Sequence, residues 1–401
     1  MIKTNKKEIT NNILERNLSE FHYDFNQNID LLTSEIRDNS FLIIGGGGSI
    51  GSSVVEKLFI MNAKKIHVID NNENNLVEIV RNVRSQNIEN KGFFLTSCLD
   101  INNPMFVSFL KNNKFDYILN FAAMKHVRSE RDIYSLTQLI QTNVIAINKI
   151  IKNLNKMNIK GFLNVSTDKA TNPSNLMGAS KLAAEELLLS NRGSFKIVMA
   201  RFANVALSKG SLIDSFIYRV NKNQPLSVPQ DIRRYFISHE EAAELCIIAC
   251  ILGKNNDIFI PNSDKILTAK SFVQIAKKFL HTIKLQPKIF QNEIEAKKSF
   301  NYINKEKFWP CYFFNSDTSG EKKIESFYTK NDIVDTTSFH SIGIIKKKPN
   351  INNEEIKLLI KELTNLTENF NLDKKEIVNI FSKHIKSFKH IDKGKSLDER
   401  M

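Results

Sequence analysis

Short apolar runs alternate with longer amphipathic segments along the first half of the chain. The apolar runs have the composition of buried strands, and the segments between them repeat apolar positions at intervals of three and four, which is typical of helices. The predicted strands are 41–44, 65–70, 92–96, 116–121, 161–166 and 195–200, and the predicted helices include 50–61, 103–111, 131–155 and 177–190. Apolar strands that alternate with helices indicate a parallel sheet covered on both faces. The chain is therefore predicted to be an α/β protein with a doubly wound parallel sheet.

The pattern changes at three places, and these changes predict the domain organisation. Residues 1–38 are polar and amphipathic and predict a helical leader before the doubly wound domain at 39–200. Five prolines divide residues 201–345 into short elements, which favours a smaller domain with one strand, 257–260, that returns to the main sheet. Apolar residues at helical spacing then predict a helical C-terminal tail at 346–401.

The charge of the chain bears on its partners. The 401 residues carry a formal net charge of +14, which raises the question of a polyanionic partner. The lysines are dispersed among asparagines, and no basic run is interleaved with aromatic residues that could stack on bases. Nucleic acid is therefore not predicted as a partner, whereas a basic surface suits a small anionic substrate.

The cysteines and the apolar segments exclude further classes of protein. Cys98, Cys246, Cys250 and Cys311 lack the CxxC spacing of a metal site and are too few for a disulfide framework, so no metal is predicted. Cys246 and Cys250 lie in an apolar helical run and are predicted to pack in the core. No apolar stretch approaches the ~20 residues of a membrane span, and the charged N-terminus lacks an apolar signal core. We expect a cytoplasmic protein without stable membrane insertion.

A glycine-rich turn follows the first predicted strand and opens the first predicted helix of the sheet domain. Gly45, Gly48 and Gly51 have the spacing GxxGxxG, with Ser49 and Ile50 between the last two glycines. Small residues let the backbone approach a pyrophosphate, and the start of a helix offers N–H groups to it. The turn therefore predicts a dinucleotide site.

Acidic residues after the second and third strands refine this prediction. Asp70 ends the second strand, nineteen positions after Gly51 (70 − 51). A carboxylate there accepts hydrogen bonds from the adenosine ribose and repels a 2′-phosphate, so NAD is predicted rather than NADP. The alternative for Asp70 is a strand-end residue that only caps the turn at Asn71. Asp100 and Ile101 follow the third strand and are predicted to border the adenine.

Chemically active side chains follow the fifth predicted strand. Thr167, Asp168 and Lys169 end this strand, and Met177 and Lys181 lie four residues apart on one face of the next helix. Ligands of open α/β sheets bind at the carboxyl ends of strands, so these groups are predicted to converge beside a nicotinamide. The alternative is a solvated loop that carries the Asp-Lys pair without a catalytic role.

Five segments occur in an order that resembles a known family. They are Gly45–Gly51, Asn120–Val127 (NFAAMKHV), Ser166–Lys181 (STDKATNPSNLMGASK), Arg201–Val205 (RFANV) and Asp231–Phe236 (DIRRYF). Over about residues 40–330 the chain resembles the extended short-chain dehydrogenases/reductases of the CapD-type polysaccharide-biosynthesis group, the UDP-N-acetylglucosamine 4,6-dehydratases. The resemblance implies an NAD-binding Rossmann domain at 39–200, with Ala122 and Ala123 as further cofactor contacts, and a UDP-sugar-binding domain at 201–345. It implies UDP-N-acetylglucosamine as the substrate.

The resemblance also implies a reaction and its stereochemistry. C4 of the sugar is oxidised by NAD⁺, water is lost across C5 and C6, and the hydride returns to C6. Most of the superfamily has a catalytic Tyr where this chain has Met177, which cannot take a proton. Configuration-retaining dehydratases share this replacement, so the resemblance implies UDP-2-acetamido-2,6-dideoxy-α-D-xylo-hexos-4-ulose as the product. Ordinary core packing is the alternative interpretation of Met177.

Within this reaction the catalytic residues receive roles as hypotheses. Lys169 removes the C5 proton and Asp168 protonates the leaving C6 hydroxyl, which requires a lowered pKa for the amine and a raised pKa for the acid. Thr167 hydrogen-bonds the C4 oxygen, and Lys181 binds the nicotinamide ribose and lowers nearby pKa values. The acceptor of the C4 hydroxyl proton stays open between Asp168 and a relay through Thr167.

The resemblance further implies a substrate-binding set. Its members are Lys125 and His126 at the sugar, Asn204 and Arg234 at the diphosphate, Glu321 at the uridine ribose, and Ser211 in the segment that corresponds to the family's GSRGS. His126 is equally interpreted as a structural histidine, and the alternative for Arg234 is a surface ion pair. The chain departs from the family pattern at Ala203, at Leu207–Ser211 and at Thr318-Ser319, which weakens the nucleotide-end contacts more than the catalytic ones.

Three other functions could use the same sequence motifs. A UDP-N-acetylhexosamine 4-epimerase would share the NAD site, but Thr167-Asp168-Lys169 argues against it. A configuration-inverting dehydratase differs in sequence at Met177, and a non-catalytic NAD-sensing protein would have no need of the acid and the amines. We also expect a homo-oligomer, a dimer or larger, joined through the amphipathic helices 131–155 and 177–190.

Overall fold

The computed structural model describes residues 5–86, 88, 92–318, 320–368 and 373–394. Ser319, one of the predicted departures from the family pattern, and residues 395–401 of the predicted tail lie outside the described residues. Among the described residues, no helix has both the length and the apolar composition needed to cross a lipid bilayer.

The described residues form sixteen strands. They are β1 Ser40–Ile44, β2 Lys65–Asp70, β3 Phe93–Cys98, β4 Tyr117–Asn120, β5 Gly161–Thr167, β6 Lys196–Phe202, β7 Asn204–Val205, β8 Leu226–Pro229, β9 Arg233–Arg234, β10 Phe236–Ile237, β11 Asp257–Pro261, β12 Lys270–Ser271, β13 Gln286–Phe290, β14 Phe308–Phe314, β15 Val334–Asp335 and β16 Ile342–Lys346.

The same residues form sixteen α-helices. They are α1 Lys6–Leu14, α2 His22–Gln27, α3 Ile29–Asp38, α4 Ser49–Ile60, α5 Glu73–Ser85, α6 Pro104–Asn112, α7 Ile133–Ile140, α8 Ala146–Leu154, α9 Leu176–Leu189, α10 Leu212–Asn221, α11 His239–Leu252, α12 Ser263–Ile266, α13 Phe272–Thr282, α14 Glu293–Lys298, α15 Asn353–Glu368 and α16 Lys374–His384. A π-helical segment at Gln141–Ile145 joins α7 to α8, and short 3₁₀ helices lie at Val127–Glu130, Asp168–Ala170 and Ser299–Asn301.

The main sheet has nine strands in the order β15-β16-β11-β6-β5-β4-β1-β2-β3. The seven strands from β11 to β3 pair in parallel, whereas β16 and β15 add antiparallel at one edge. The central strands are apolar because helices cover both faces; every residue of β4 is buried. This arrangement confirms the predicted α/β fold with a doubly wound parallel sheet, and β11 is the predicted strand that returns to it.

The order of the strands reverses beside β1. The chain runs from β1 through β2 to β3 on one side and then crosses to β4 on the other side of β1. At such a switch point the connections after two neighbouring strands diverge and leave a crevice at their carboxyl ends. The glycine turn follows β1 and the NFAAMKHV segment follows β4, so both border this crevice.

A smaller lobe carries its own apolar core. Its three-stranded sheet has the order β13-β14-β8 and packs against α13. The N-terminal helix α1 joins this lobe, because Ile9, Ile13 and Leu14 belong to the same buried cluster as Phe279 and Trp309. Helices α2 and α3 pack instead against α11 of the main domain. The predicted helical leader is thus divided between the two cores.

The C-terminal helices α15 and α16 pack on the main domain. They share one buried apolar cluster with α7, the π segment and α9, and the cluster includes Leu136, Met177, Leu182, Leu359 and Phe381. The chain's own tail therefore covers part of the helices through which the sequence predicts a second copy. The homo-oligomer stays a prediction.

Candidate active site

The glycine turn after β1 is packed too closely for a side chain at Gly45 or Gly51. Gly45 has a left-handed φ of +70°, and a Cβ atom there would lie 2.5 Å from the backbone nitrogen of Ala122. A Cβ on Gly51 would lie 2.6 Å from the carbonyl oxygen of Gly45. Gly48 precedes α4 without a side-chain cap, so the first N–H groups of this helix lack intrahelical partners. The turn can therefore admit an anion at the helix start.

Asp70 connects the end of β2 to this turn. Its carboxylate is buried; Oδ2 accepts the Gly47 N–H at 2.9 Å and Oδ1 accepts the Asn72 N–H at 2.9 Å. Both sequence interpretations of Asp70 therefore have a counterpart in the geometry, because the acid caps its own turn and also borders the glycine turn. Asp100 caps the next turn by accepting the Asn102 N–H at 2.7 Å, and the adjacent Ile101 side chain is buried.

The segment after β4 lies between the glycine turn and β5. Asn120 donates its side-chain amide to Asn164 of β5 at 2.8 Å and accepts the Ala122 N–H at 3.2 Å. Ala122 and Ala123 are half-buried and small, so they leave space beside the carboxyl end of β1. These contacts fix the wall of the crevice where the resemblance implies cofactor contacts.

Lys125 and His126 face the loop at residues 207–211. Lys125 Nζ donates to Ser208 Oγ at 2.8 Å and to the Lys209 carbonyl at 3.0 Å, and desolvation lowers the pKa of this amine. Desolvation and the charge of Lys125 lower the pKa of His126. The loop also reaches the glycine turn, because the Lys209 N–H donates to Ser49 Oγ at 2.9 Å. The loop thus spans the crevice between the predicted cofactor and sugar residues.

A hydroxyl, an acid and an amine meet at the carboxyl end of β5. Asp168 is 2% exposed, and its Oδ1 accepts hydrogen bonds from Lys169 Nζ at 3.0 Å and from Thr167 Oγ1 at 2.9 Å. The solvated-loop alternative is therefore wrong for Asp168, since a solvated carboxylate would not be buried. Lys169 and Thr167, which both contact Asp168, are themselves half-buried.

Helix α9 brings a second amine to β5. Lys181 Nζ donates to the Val165 carbonyl at 2.7 Å, and burial lowers the pKa of this amine to about 8. Met177 lies one turn earlier, is 3% exposed and belongs to the apolar cluster shared with the tail. Its N–H donates to Oε1 of Glu130, a buried acid that the sequence interpretation missed. Only the fold brings Glu130 to this helix, and no local pattern marks it.

The predicted nucleotide-end residues Arg234 and Glu321 contact each other. Arg234 is buried; its Nη2 donates to Glu321 Oε1 at 3.2 Å and its Nη1 donates to the Lys322 carbonyl at 2.9 Å. The alternative of a surface ion pair is wrong, because the guanidinium is enclosed. Thr318, one of the departures from the family pattern, donates to Glu321 Oε2 at 2.8 Å and so joins this group.

Asn204 and Ser211 lie before the 207–211 loop and at its end, respectively. Asn204 is half-buried in β7, which pairs with β10 next to Arg234 along the chain. Ser211 caps α10 by accepting the Asp214 N–H at 3.2 Å, so part of its role is structural. The structure therefore gathers the catalytic and cofactor candidates at one sheet edge and places Arg234 with Glu321 in a separate group.

The strand order and the glycine turn define a Rossmann-type protein with the extended short-chain dehydrogenase/reductase fold. The chain belongs to the polysaccharide biosynthesis protein family, whose model matches residues 41–347. This family assignment confirms the polysaccharide-biosynthesis family that the sequence motifs predicted.

Two curated relatives extend the comparison. The chain is 29% identical over 354 residues to the uncharacterized membrane protein MJ1061 of Methanocaldococcus jannaschii, which corresponds to 82% of this chain and 97% of that protein. It is 28% identical to the capsular polysaccharide biosynthesis protein CapD of Staphylococcus aureus over 62% of this chain and 42% of CapD. The chain thus spans less than half the length of CapD.

Solved structures support the fold. Pen from Bacillus thuringiensis matches with a TM-score of 0.63 and 24% identity over 82% of this chain and 98% of Pen. DesIV, a dTDP-glucose 4,6-dehydratase from Streptomyces venezuelae solved with NAD, matches with a TM-score of 0.53 and 16% identity over 72% of this chain and 87% of DesIV. The predicted cofactor is in keeping with the NAD bound by DesIV.

Proposed function

We propose that this chain is an NAD-dependent UDP-N-acetylglucosamine 4,6-dehydratase of the configuration-retaining kind. One observation carries the proposal: a buried acid, Asp168, is paired with an amine, Lys169, on the sheet edge that also carries the glycine turn. An elimination needs an acid for the leaving group and a base for the adjacent carbon, and this pair offers both. Family membership and the fold of a dTDP-glucose 4,6-dehydratase support the same class of reaction.

The residues at the β1–β4 crevice fit NAD. A Cβ atom on Gly47 would lie 2.8 Å from Asp70 Oδ2, so the acid that ends β2 packs directly against the glycine turn. We assign the dinucleotide to the residues predicted for it: Gly45, Gly48, Ser49, Ile50, Gly51, Asp70, Asp100, Ile101, Ala122, Ala123 and Lys181. NAD bound by these residues would supply the hydride acceptor for C4 of the sugar and the hydride donor for C6.

The Asp168–Lys169 pair can prepare itself for the elimination. Transfer of one proton from Lys169 Nζ to Asp168 Oδ1, across their 3.0 Å hydrogen bond, gives a neutral amine and a neutral acid. The amine then removes the C5 proton, the C5–H electrons form the C5=C6 double bond, and the C6 hydroxyl leaves as water with a proton from Asp168. The step ends with a charged amine and carboxylate, which is the pair that began it.

Thr167 and Lys181 complete the proposed catalytic group. Thr167 Oγ1, which donates to Asp168 at 2.9 Å, would turn its hydrogen bond toward the C4 oxygen of the sugar. Lys181 would bind the nicotinamide ribose from its position on Val165. Met177 takes no part in proton transfer, and its burial in an apolar cluster agrees with that assignment.

The substrate would extend from the sugar at Lys125 and His126 toward Asn204, Arg234 and Glu321. Arg234 Nη1 already holds the Lys322 and Lys323 carbonyls, so the guanidinium is oriented before substrate arrives. A phosphate oxygen would then replace Glu321 at Nη2, and the released carboxylate could accept the uridine ribose hydroxyls. Ser211 would border the same end of the substrate.

Isotope transfer tests the proposal directly. Purified protein is incubated with NAD and with UDP-N-acetylglucosamine deuterated at C4, and the product is followed by NMR. We expect a 4-keto-6-deoxy product that carries the deuterium at C6 and keeps the C5 configuration. A 4-epimer without a keto group would establish the epimerase, an inverted C5 would overturn the retaining assignment, and an unchanged substrate would overturn the proposed enzyme.

Replacement of the acid tests its role. Asp168→Asn removes the transferable proton but keeps the shape, so turnover is expected to fall on the order of 10²-fold or more. Glu354→Gln makes the same carboxyl-to-amide change at an exposed position of α15 and serves as the matched control. Near-normal turnover of Asp168→Asn, at an unchanged melting temperature, would remove Asp168 from the mechanism.

A further inference from the structure

The segment between β5 and α9 links the two ends of the candidate site. It joins Asp168 and Lys169 to the helix that carries Met177 and Lys181. On one side it is held by the stretch that carries Glu321, because Ser174 Oγ and Asn175 Nδ2 donate to the Gly320 carbonyl at 2.7 Å and 3.1 Å. The position of α9 relative to the acid and the amine therefore depends on what holds this segment.

The C-terminal tail holds the opposite side of the same segment. The Lys389 N–H donates to the Pro173 carbonyl at 3.1 Å, and the Ile391 N–H donates to the Ser174 carbonyl at 3.0 Å. His390 lies between these two residues along the chain, and its Nε2 is 3.3 Å from Oε2 of Glu130. The tail thus crosses the start of α9 in an extended conformation.

Glu130 connects the tail to the first turn of α9. Its Oε1 accepts the Met177 N–H at 3.1 Å while its Oε2 faces His390. An ionised carboxylate can only accept hydrogen bonds, so His390 donates in this contact. The chain His390–Glu130–Met177 therefore runs from the tail to the helix turn that precedes Lys181.

The tail is also anchored at the other end of α9. Glu186 is buried and accepts the Asn350 N–H at 2.7 Å, and its other carboxylate oxygen lies 3.1 Å from Lys347 Nζ. Between the two anchors, α15 and α16 bury apolar side chains in one cluster with α9. Helix α9 is consequently held at both ends and along one face by residues within 347–368 and 373–391.

We propose that His390, acting through Glu130, is a positioning residue for the candidate active site. The tail packs along one face of α9 and fixes the start of this helix, and with it Lys181, against β5. The inference rests on the proposed function, because it is the dehydration chemistry that requires this geometry. Catalytic groups are sensitive to displacements of about 1 Å, so a loosened helix start would slow turnover.

Substitutions at His390 test this role. His390→Leu removes the donor to Glu130 but leaves the two backbone hydrogen bonds of the tail. His390→Gln keeps a donor in a side chain of similar length, and His281→Leu is the matched control at an exposed histidine of α13 in the small lobe. For each variant, kcat and KM for UDP-N-acetylglucosamine are measured with the melting temperature and hydrogen–deuterium exchange of residues 173–181.

The expected result separates positioning from simple stabilisation. His390→Leu lowers kcat about tenfold with a smaller change in KM, speeds exchange at 173–181 and lowers the melting temperature by a few degrees at most, and His390→Gln restores most of the rate. A fall in melting temperature without a change in kcat, or no change in exchange, would overturn the inference. If the wild-type protein does not convert this substrate, the proposed function fails. The exchange measurement alone then tests whether His390 holds the start of α9.

Discussion

Lys181 illustrates how a single side chain acquires its chemistry from burial. The sequence places this lysine four residues after Met177, but the surroundings that lower its pKa to about 8 come from helix packing against β5. Arg234 is a second case, because its partners at residues 321–323 are almost ninety positions away along the chain. Residue types and spacing therefore predicted which side chains belong to the candidate site, whereas their burial and their partners had to come from the fold.

The lowered pKa of Lys181 predicts a pH-dependent stability difference. In the unfolded chain the amine keeps its ordinary pKa of 10.5, so between about pH 8 and 10.5 the unfolded state binds more protons than the folded state. Unfolding free energy of the wild type, relative to Lys181→Met, should rise with pH in that window by roughly 3 kcal/mol. Denaturant unfolding of the cofactor-free protein at pH 7, 9 and 10.5 measures this, and a difference that is independent of pH would contradict it.

Met177 predicts a pair of variants with different outcomes. Met177→Leu conserves volume and removes no proton donor, so turnover and stability should change little, by less than about 1.5 kcal/mol in unfolding free energy. Met177→Ala leaves a cavity in the cluster shared with the tail and should cost about 2–5 kcal/mol. Chemical denaturation and steady-state kinetics decide; a large loss of kcat in Met177→Leu at full stability would show that Met177 does more than fill space.

At the scale of elements, the apolar pattern located most of the sheet. The strand predicted at 65–70 has those bounds, and 41–44, 161–166 and 195–200 differ from β1, β5 and β6 by one or two residues. These strands are buried on both faces, so continuous apolar composition suffices to find them. The short strands β7, β9, β10 and β12 escaped prediction, because two residues carry no periodicity and their pairing depends on distant partners.

The glycine turn between β1 and α4 predicts a contrast between two substitutions. Gly45→Ala places a Cβ atom 2.5 Å from the Ala122 nitrogen and adds the left-handed φ penalty, so it should destabilise the cofactor-free protein by more than about 2 kcal/mol. At Gly48 the φ is −71° and an added Cβ atom would lie 3.3 Å from its nearest neighbour. Gly48→Ala should therefore lower the unfolding free energy by less than about 1 kcal/mol. Thermal unfolding compares them, and equal losses would refute the close-packed turn.

At the scale of the whole molecule, the buried apolar side chains of the described residues form three cores, and the terminal helices pack into each of them. Helix α1 completes the small lobe, α2 and α3 cover the main domain, and α15 with α16 covers α7 and α9. The homo-oligomer predicted through helices 131–155 and 177–190 stays a prediction, and α15 and α16 cover part of both helices. The sequence showed that helices 131–155 and 177–190 are amphipathic. It did not show which element packs on them, since an apolar stripe does not specify what covers it.

The packing of the whole chain predicts its thiol chemistry. Cys98 is exposed, whereas Cys246, Cys250 and Cys311 are buried, and burial raises the pKa of Cys250 and of Cys311 to about 12. In the native protein one thiol should therefore react rapidly with a disulfide reagent, and all four should react in denaturant. Cys98→Ser should abolish the rapid phase. Fast reaction of a second native thiol would mean that one of the cores opens.

The sequence by itself determined the α/β class, the dinucleotide turn and the residues at the carboxyl end of β5, because each depends on local periodicity or on neighbours a few positions apart. Only the tertiary structure decided that Asp168 is buried against Lys169, that Arg234 contacts Glu321, and that Glu130 contacts both His390 of the tail and the first turn of α9. Such contacts join residues that are adjacent only after folding, and burial is a property of everything packed around a group. The local sequence therefore specifies the chemical groups of the site, whereas their burial and their partners depend on how the whole chain folds.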